Sequence, residues 1–76
     1  MKLFGGKFEG TIGSGLERDG MFLEVTETKN STQLFIEIFY SDATNKFSVT
    51  LFKENVDLEL IEQAIKFAKQ RLVPDS

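Results

Sequence analysis

Hydrophobic and polar positions alternate along most of this chain and change to a helical spacing only in its last third. The densest apolar stretch is Gln33-Leu34-Phe35-Ile36-Glu37-Ile38-Phe39-Tyr40. A strand turns successive side chains to opposite faces, so a regular strand here has Leu34, Ile36, Ile38 and Tyr40 on one face and Phe35 and Phe39 on the other. Both faces are apolar, and both need cover.

The flanking segments supply partners for this strand. From Met21 to Thr28 the pattern puts Met21, Leu23 and Val25 on one side and Phe22, Glu24 and Thr26 on the other. Lys29-Asn30-Ser31-Thr32 is a turn cluster. Pairing Thr28 with Gln33 across it sets Glu24 opposite Glu37, Phe22 opposite Phe39, Leu23 beside Ile38 and Val25 beside Ile36. A slip of one residue would destroy this agreement of faces. Ser41-Asp42-Ala43-Thr44-Asn45 is a second turn, followed by alternation from Lys46 to Lys53 with Phe47, Val49 and Leu51 on the core side. Pairing Ser41 with Lys46 sets Phe35 opposite Phe52.

The first twenty residues hold all 6 glycines. Apolar Phe4, Phe8, Ile12 and Leu16 fall at even positions and polar Lys7, Glu9, Thr11 and Glu17 at odd ones, which predicts a glycine-weakened strand over about 7–17. Asp19-Gly20 reads as a tight turn in which Gly20 supplies a positive φ.

The helix is announced by several local signals. Leu58, Ile61, Ile65, Ala68 and Leu72 recur at helical spacing, flanked by Leu60, Ala64 and Phe67. Asp57 stands at the N-cap position, Val56 and Ile61 have the spacing of a hydrophobic staple, and Pro74 provides a stop. Acidic residues come early and basic ones late, matching the helix dipole.

These elements predict a two-layer α+β fold: a four-stranded antiparallel meander sheet (about 7–17, 21–28, 33–40 and 46–53) with one C-terminal helix (about 58–72) packed on one face. With 76 residues, positions 1–76 form a single small domain, a size at which one core yields modest net stability and oligomerisation helps.

Composition narrows the function classes. Hydrophobic residues make up 41% and charged residues 28% of the chain, and eight are Phe, which suits a globular protein. Cysteine is absent, so there is neither a disulfide framework nor thiolate chemistry. Met1-Lys2-Leu3-Phe4-Gly5-Gly6-Lys7 does not read as a signal peptide and no long apolar run suggests a membrane span, so the expected location is cytoplasmic, away from the membrane. The net charge of -3 comes from 12 acidic and 9 basic residues, interspersed and without a basic block of the kind nucleic acid requires. There is no His, which removes the usual general base and the commonest transition-metal ligand. No metal and no cofactor is expected.

Three candidate sites remain. Gly10-Thr11-Ile12-Gly13-Ser14-Gly15 resembles a phosphate loop only superficially, because it leads into a hairpin instead of a helix N-terminus. Glu24 and Glu37 are a cross-strand carboxylate pair, suited either to a solvated surface, to an interface that meets basic groups, or to a small carboxylate-based enzyme. Phe22, Phe35, Phe39 and Phe52 are the sharpest feature, an aromatic patch on the sheet face away from the helix. Its cover would come from residues 1–6, from a second subunit or from another protein. The expectation is therefore a small non-enzymatic protein-interaction module. It would form a homodimer or bind and modulate a protein partner, with Phe22, Phe35, Phe39, Phe52, Glu24 and Glu37 at the interface. A sheet that stacks nucleic-acid bases is the alternative.

Overall fold

The computed structural model describes residues 2–15, 17 and 19–73. The chain forms β1 (Lys2–Leu3), β2 (Phe8–Ser14), β3 (Gly20–Glu27), β4 (Leu34–Ser41), β5 (Lys46–Leu51) and α1 (Leu58–Arg71). The strands make one antiparallel sheet in the order β1-β2-β3-β4-β5, with α1 packed over it. The fold is the expected α+β meander with one additional strand. Leu16 and Pro74, invoked above for the first strand and the helix stop, lie outside the described residues.

β1 escapes the alternation rule because it is so short. It pairs Lys2 with Glu9 and Leu3 with Phe8, and the Lys2 ammonium lies 3.6 Å from the Glu9 carboxylate. The chain then turns back through three residues with positive φ, Phe4 (55°), Gly5 (65°) and Gly6 (90°). A Phe at positive φ is uncommon. Here the Phe4 amide donates to Gln63 Oε1 of α1 at 3.0 Å, and the Phe4 ring meets that of Phe8 edge-on at 6.2 Å. Residues 2–4 thus close the helix side of the sheet, where Leu3 is buried in the core, and they do not cover the second face.

On the helix side, alternation places Gly10, Val25, Ile36 and Leu51 in one cross-strand row and Ile12, Leu23, Ile38 and Val49 in the next. Leu23, Val25 and Ile36 are fully buried, with Leu3, Ile38, Tyr40, Leu60, Ala64, Ala68 and Leu72 completing the core. The buried stripe of α1 is the i, i+4 series Leu60, Ala64, Ala68, Leu72. The expected broad face is the one that packs on the sheet, with Ile61, Ile65 and Phe67 partly buried beside this stripe, but its centre lies toward Leu60 and Ala64, and Leu58 is left 69% exposed. The two alanines let the helix approach the sheet closely, which a stripe of Leu and Ile would prevent. Asp57 occupies the N-cap position and its carbonyl accepts from the Ile61 amide at 3.1 Å, but its carboxylate makes no capping bond.

Registers agree with expectation across both hairpins, with one departure. Gly20 through Val25 pair with Ser41 through Ile36 as expected, but Thr26 then faces Leu34, leaving Phe35 as an extra residue on β4. This is a β-bulge, which turns two consecutive side chains to the same side. The Phe35 ring meets the Phe8 ring at 5.0 Å and packs against the helix-side core. Leu34 takes the place opposite Thr26 on the other face.

Gly20 also departs from its expected role. It lies within β3, opposite Ser41, and has no positive φ. A Cβ there would collide with the Tyr40 carbonyl oxygen and lie 2.7 Å from the Phe39 ring.

Candidate functional site

The face of the sheet away from α1 carries the expected interface residues, but they do not form one patch. Phe22 and Phe39 are directly opposite, as expected. Each ring lies over a glycine of the adjacent strand: Phe22 over Gly13, where a Cβ would meet the ring at 2.5 Å, and Phe39 over Gly20. Phe39 is thereby buried and Phe22 half-buried. Aromatic rings laid over strand glycines shield the backbone that the glycines leave bare. The bulge has taken Phe35 to the helix side. Phe52 sits just beyond β5, its amide donating to the Phe35 carbonyl at 2.9 Å, and is 48% exposed.

Glu24 and Glu37 are opposite one another as expected. The hydrogen bond from the Asp42 amide to the Asp19 carbonyl at 2.9 Å sets the bonding phase between β3 and β4. With that phase, Glu24–Glu37 and Phe22–Phe39 occupy the non-hydrogen-bonded sites, where facing side chains are closest. Thr11 and Thr50 continue the glutamate row on either side. Neither glutamate is fully buried, and neither lines a described recess. Among the described residues no group of three or more His, Cys, Asp or Glu could hold a metal ion, and no helix is long and apolar enough to cross a membrane.

Two recesses lie elsewhere among the described residues. The larger, about 480 Å³, is lined by the turn Gly5, Gly6, Lys7 and Phe8 together with Glu27, Thr28 and Lys29. Its charges are of both signs, and the Thr28 hydroxyl is engaged in donating to the Gly6 carbonyl at 2.7 Å.

The smaller recess is an apolar groove of about 260 Å³ between β5 and α1, lined by Ile38, Phe47, Val49, Ile65, Ala68 and Lys69. Its floor is the helix-side face of the edge strand. Val49 is 47% exposed there, and Leu51, next along the same face of β5, is 48% exposed. Ile61 and Leu58 continue the Ile65 flank toward the helix N-terminus. Of the exposed large hydrophobic residues, Val49, Leu51, Phe52 and Leu58 belong to β5, its extension and the start of α1; Val73 stands apart.

β5 is also an edge strand of the sheet, at the end opposite β1. The bond from the Phe52 amide to the Phe35 carbonyl sets its phase: Lys46, Ser48, Thr50 and Phe52 direct their backbone groups toward β4, so Phe47, Val49 and Leu51 direct theirs outward. The same three residues lie on the helix side of the strand, where Phe47 and Val49 line the groove, and they direct their ladder groups to the edge. From Phe47 through Phe52 the strand carries no charge, no proline and no bulge, the devices that usually blunt an edge.

Phe47, Val49 and Leu51 lie on the core side of β5, as their alternation predicts, but only Phe47 packs against the core, its ring 4.9 Å from that of Tyr40, while Val49 and Leu51 stay half exposed. A simple dimension explains why. Strands are about 4.8 Å apart and a helix with its side chains is about 10 Å across, so one helix covers about two strands. α1 sits over β3 and β4 and touches β1, and the opposite flank is filled by Leu3, Phe4 and Phe8. No described residue fills the β5 flank to the same depth.

Comparison of the chain with protein-family models, with characterised proteins and with solved structures found no match.

Proposed function

We propose that this protein is a small protein-interaction module that receives an extended protein segment along the open edge of β5, with apolar side chains of that segment lying against the β5–α1 groove. The observation that supports it most directly is the coincidence along β5 of outward backbone groups at Phe47, Val49 and Leu51 with apolar side chains, those of Phe47 and Val49 lining the groove and that of Leu51 exposed on the same face. Strand addition of this kind takes its affinity from main-chain bonds and its selectivity from alternate side chains. The second face lends less support to a binding role, because Phe39 is buried over Gly20 and Phe35 belongs to the helix side. A nucleic-acid stacking platform needs exposed rings and a basic surround. A carboxylate enzyme needs a concavity about Glu24 and Glu37.

The test is a titration of the isotopically labelled protein with a soluble, capped peptide of alternating threonine and valine. Amide shifts are expected over Phe47–Phe52 and along Leu58, Ile61 and Ile65. Shifts centred on Phe22 or Glu24, or none at either place in a sample that sediments as a monomer, would overturn the reading.

A further inference from the structure

We infer that the occupant of the β5 edge is a second copy of this chain, paired antiparallel through β5 with Val49 on the twofold axis. This rests on the strand-addition reading above and names its partner. The register follows from the backbone phase. In an antiparallel pair, outward residues must face outward residues, and those of β5 are Phe47, Val49 and Leu51. Centring on Val49 engages all of them: Val49 faces its own copy, and Phe47 faces Leu51 in both directions. Centring on Phe47 or on Leu51 leaves part of this set unpaired.

The side chains suit this register as well as the backbone does. Opposed residues in an antiparallel pair lie on the same face of the sheet, so every apolar groove-side residue of β5 meets another apolar one. On the other face Ser48 meets Thr50, and Lys46 meets Phe52 and no second lysine. No like charges oppose one another along the strand. Because only odd-numbered positions face outward, the two copies of α1 must stand on the same face of the joined sheet, flanking one apolar trough. Self-pairing therefore supplies Val49 and Leu51, each about half exposed in the single chain, with apolar cross-strand neighbours. The far side of the sheet does not offer the same template: β1 is two residues long and bears the Lys2–Glu9 ion pair.

The absence of cysteine permits a register-specific test. Facing residues of a hydrogen-bonded pair have Cα atoms about 5.5 Å apart, inside the range that a disulfide spans, about 4.4–6.8 Å. Full-length single-cysteine variants Val49→Cys, Ser48→Cys and Thr50→Cys are oxidised mildly, with sedimentation of the unmodified chain from about 10 μM to about 1 mM run alongside. Expected are a concentration-dependent dimer and covalent dimer formation by Val49→Cys at least about tenfold faster than by Ser48→Cys or Thr50→Cys, which face each other's positions and not their own. Equal rates for the three variants, or a dimer that none of them cross-links, would overturn the register. A monomer up to the highest concentration overturns self-pairing altogether. In that case the threonine–valine peptide separates the two claims: shifts over Phe47–Phe52 leave the strand-addition reading standing, and their absence removes both.

Discussion

Single atoms decide the fate of the second sheet face. Gly13 and Gly20 leave room for the Phe22 and Phe39 rings, so those rings bury themselves against neighbouring strands. Gly20→Ala must move the Tyr40 carbonyl, a backbone atom, whereas Gly13→Ala displaces only the end of a half-buried ring. Overpacking costs on the order of 1–3 kcal/mol, with Gly20→Ala expected near the top of that range and Gly13→Ala near the bottom. For a domain this size each kcal/mol lowers the melting temperature by about 4–8 °C, so thermal unfolding should rank the two variants in that order. Phe35 gives a second contrast. Its ring packs with Phe8 in the helix-side core, so Phe35→Thr is expected to cost about 2 kcal/mol or more. Leu34→Thr, on the face shared with Thr26, is expected to cost less than about 1 kcal/mol. Urea midpoints measure both, and a reversed order would mean that the bulge is misplaced. None of this is legible in the alternation of β4, because a bulge inverts the face of every residue on one side of it and has no periodicity of its own.

Elements were easier to read from the chain than their contacts. The turns at Lys29–Thr32 and Ser41–Asn45 set the hairpin registers locally; Asn30 Oδ1 accepts from the Thr32 amide at 3.2 Å, and Asn45 Oδ1 accepts from the Tyr40 hydroxyl at 3.0 Å. The helix bounds and its broad apolar face follow from composition and spacing, yet the centre of that face does not. Leu60, Ala64, Ala68 and Leu72 form the buried row, while Leu58, first in the expected row, is exposed. A broad apolar face admits several rotations, and close packing selected the one with small residues at the contact. Two outcomes follow for α1. Asp57→Ala is expected to cost less than about 0.5 kcal/mol, since the carboxylate makes no capping bond and a true cap is worth about 1 kcal/mol. Ala64→Leu is expected to cost on the order of 1–3 kcal/mol by forcing the helix off the sheet. Denaturant unfolding of the two variants checks both.

For the whole molecule, the governing fact is unequal cover of one sheet face. The β1 side is closed by Leu3, Phe4 and Phe8, the centre by α1, and the β5 side is left half open. Val49→Lys is therefore expected to leave the fold intact, changing stability by less than about 1 kcal/mol, while raising solubility and abolishing concentration-dependent sedimentation. Val25→Lys, at a fully buried position, is expected to prevent folding. Circular dichroism and sedimentation of these variants separate a surface role of Val49 from a core role.

By itself, the sequence determined the four longer strands and the helix, their order, the two hairpin registers up to the bulge at Phe35, and the presence of more apolar surface than one small core absorbs. These follow from periodicity and turn chemistry, which act over a few residues. Tertiary structure alone decided where that surplus lies. The aromatic set Phe22, Phe35, Phe39 and Phe52 was divided by a bulge and by glycines beneath the rings, and the open surface moved to Val49 and Leu51. That outcome depends on the width of a helix relative to a sheet and on contacts between residues far apart in the chain, neither of which local patterning encodes.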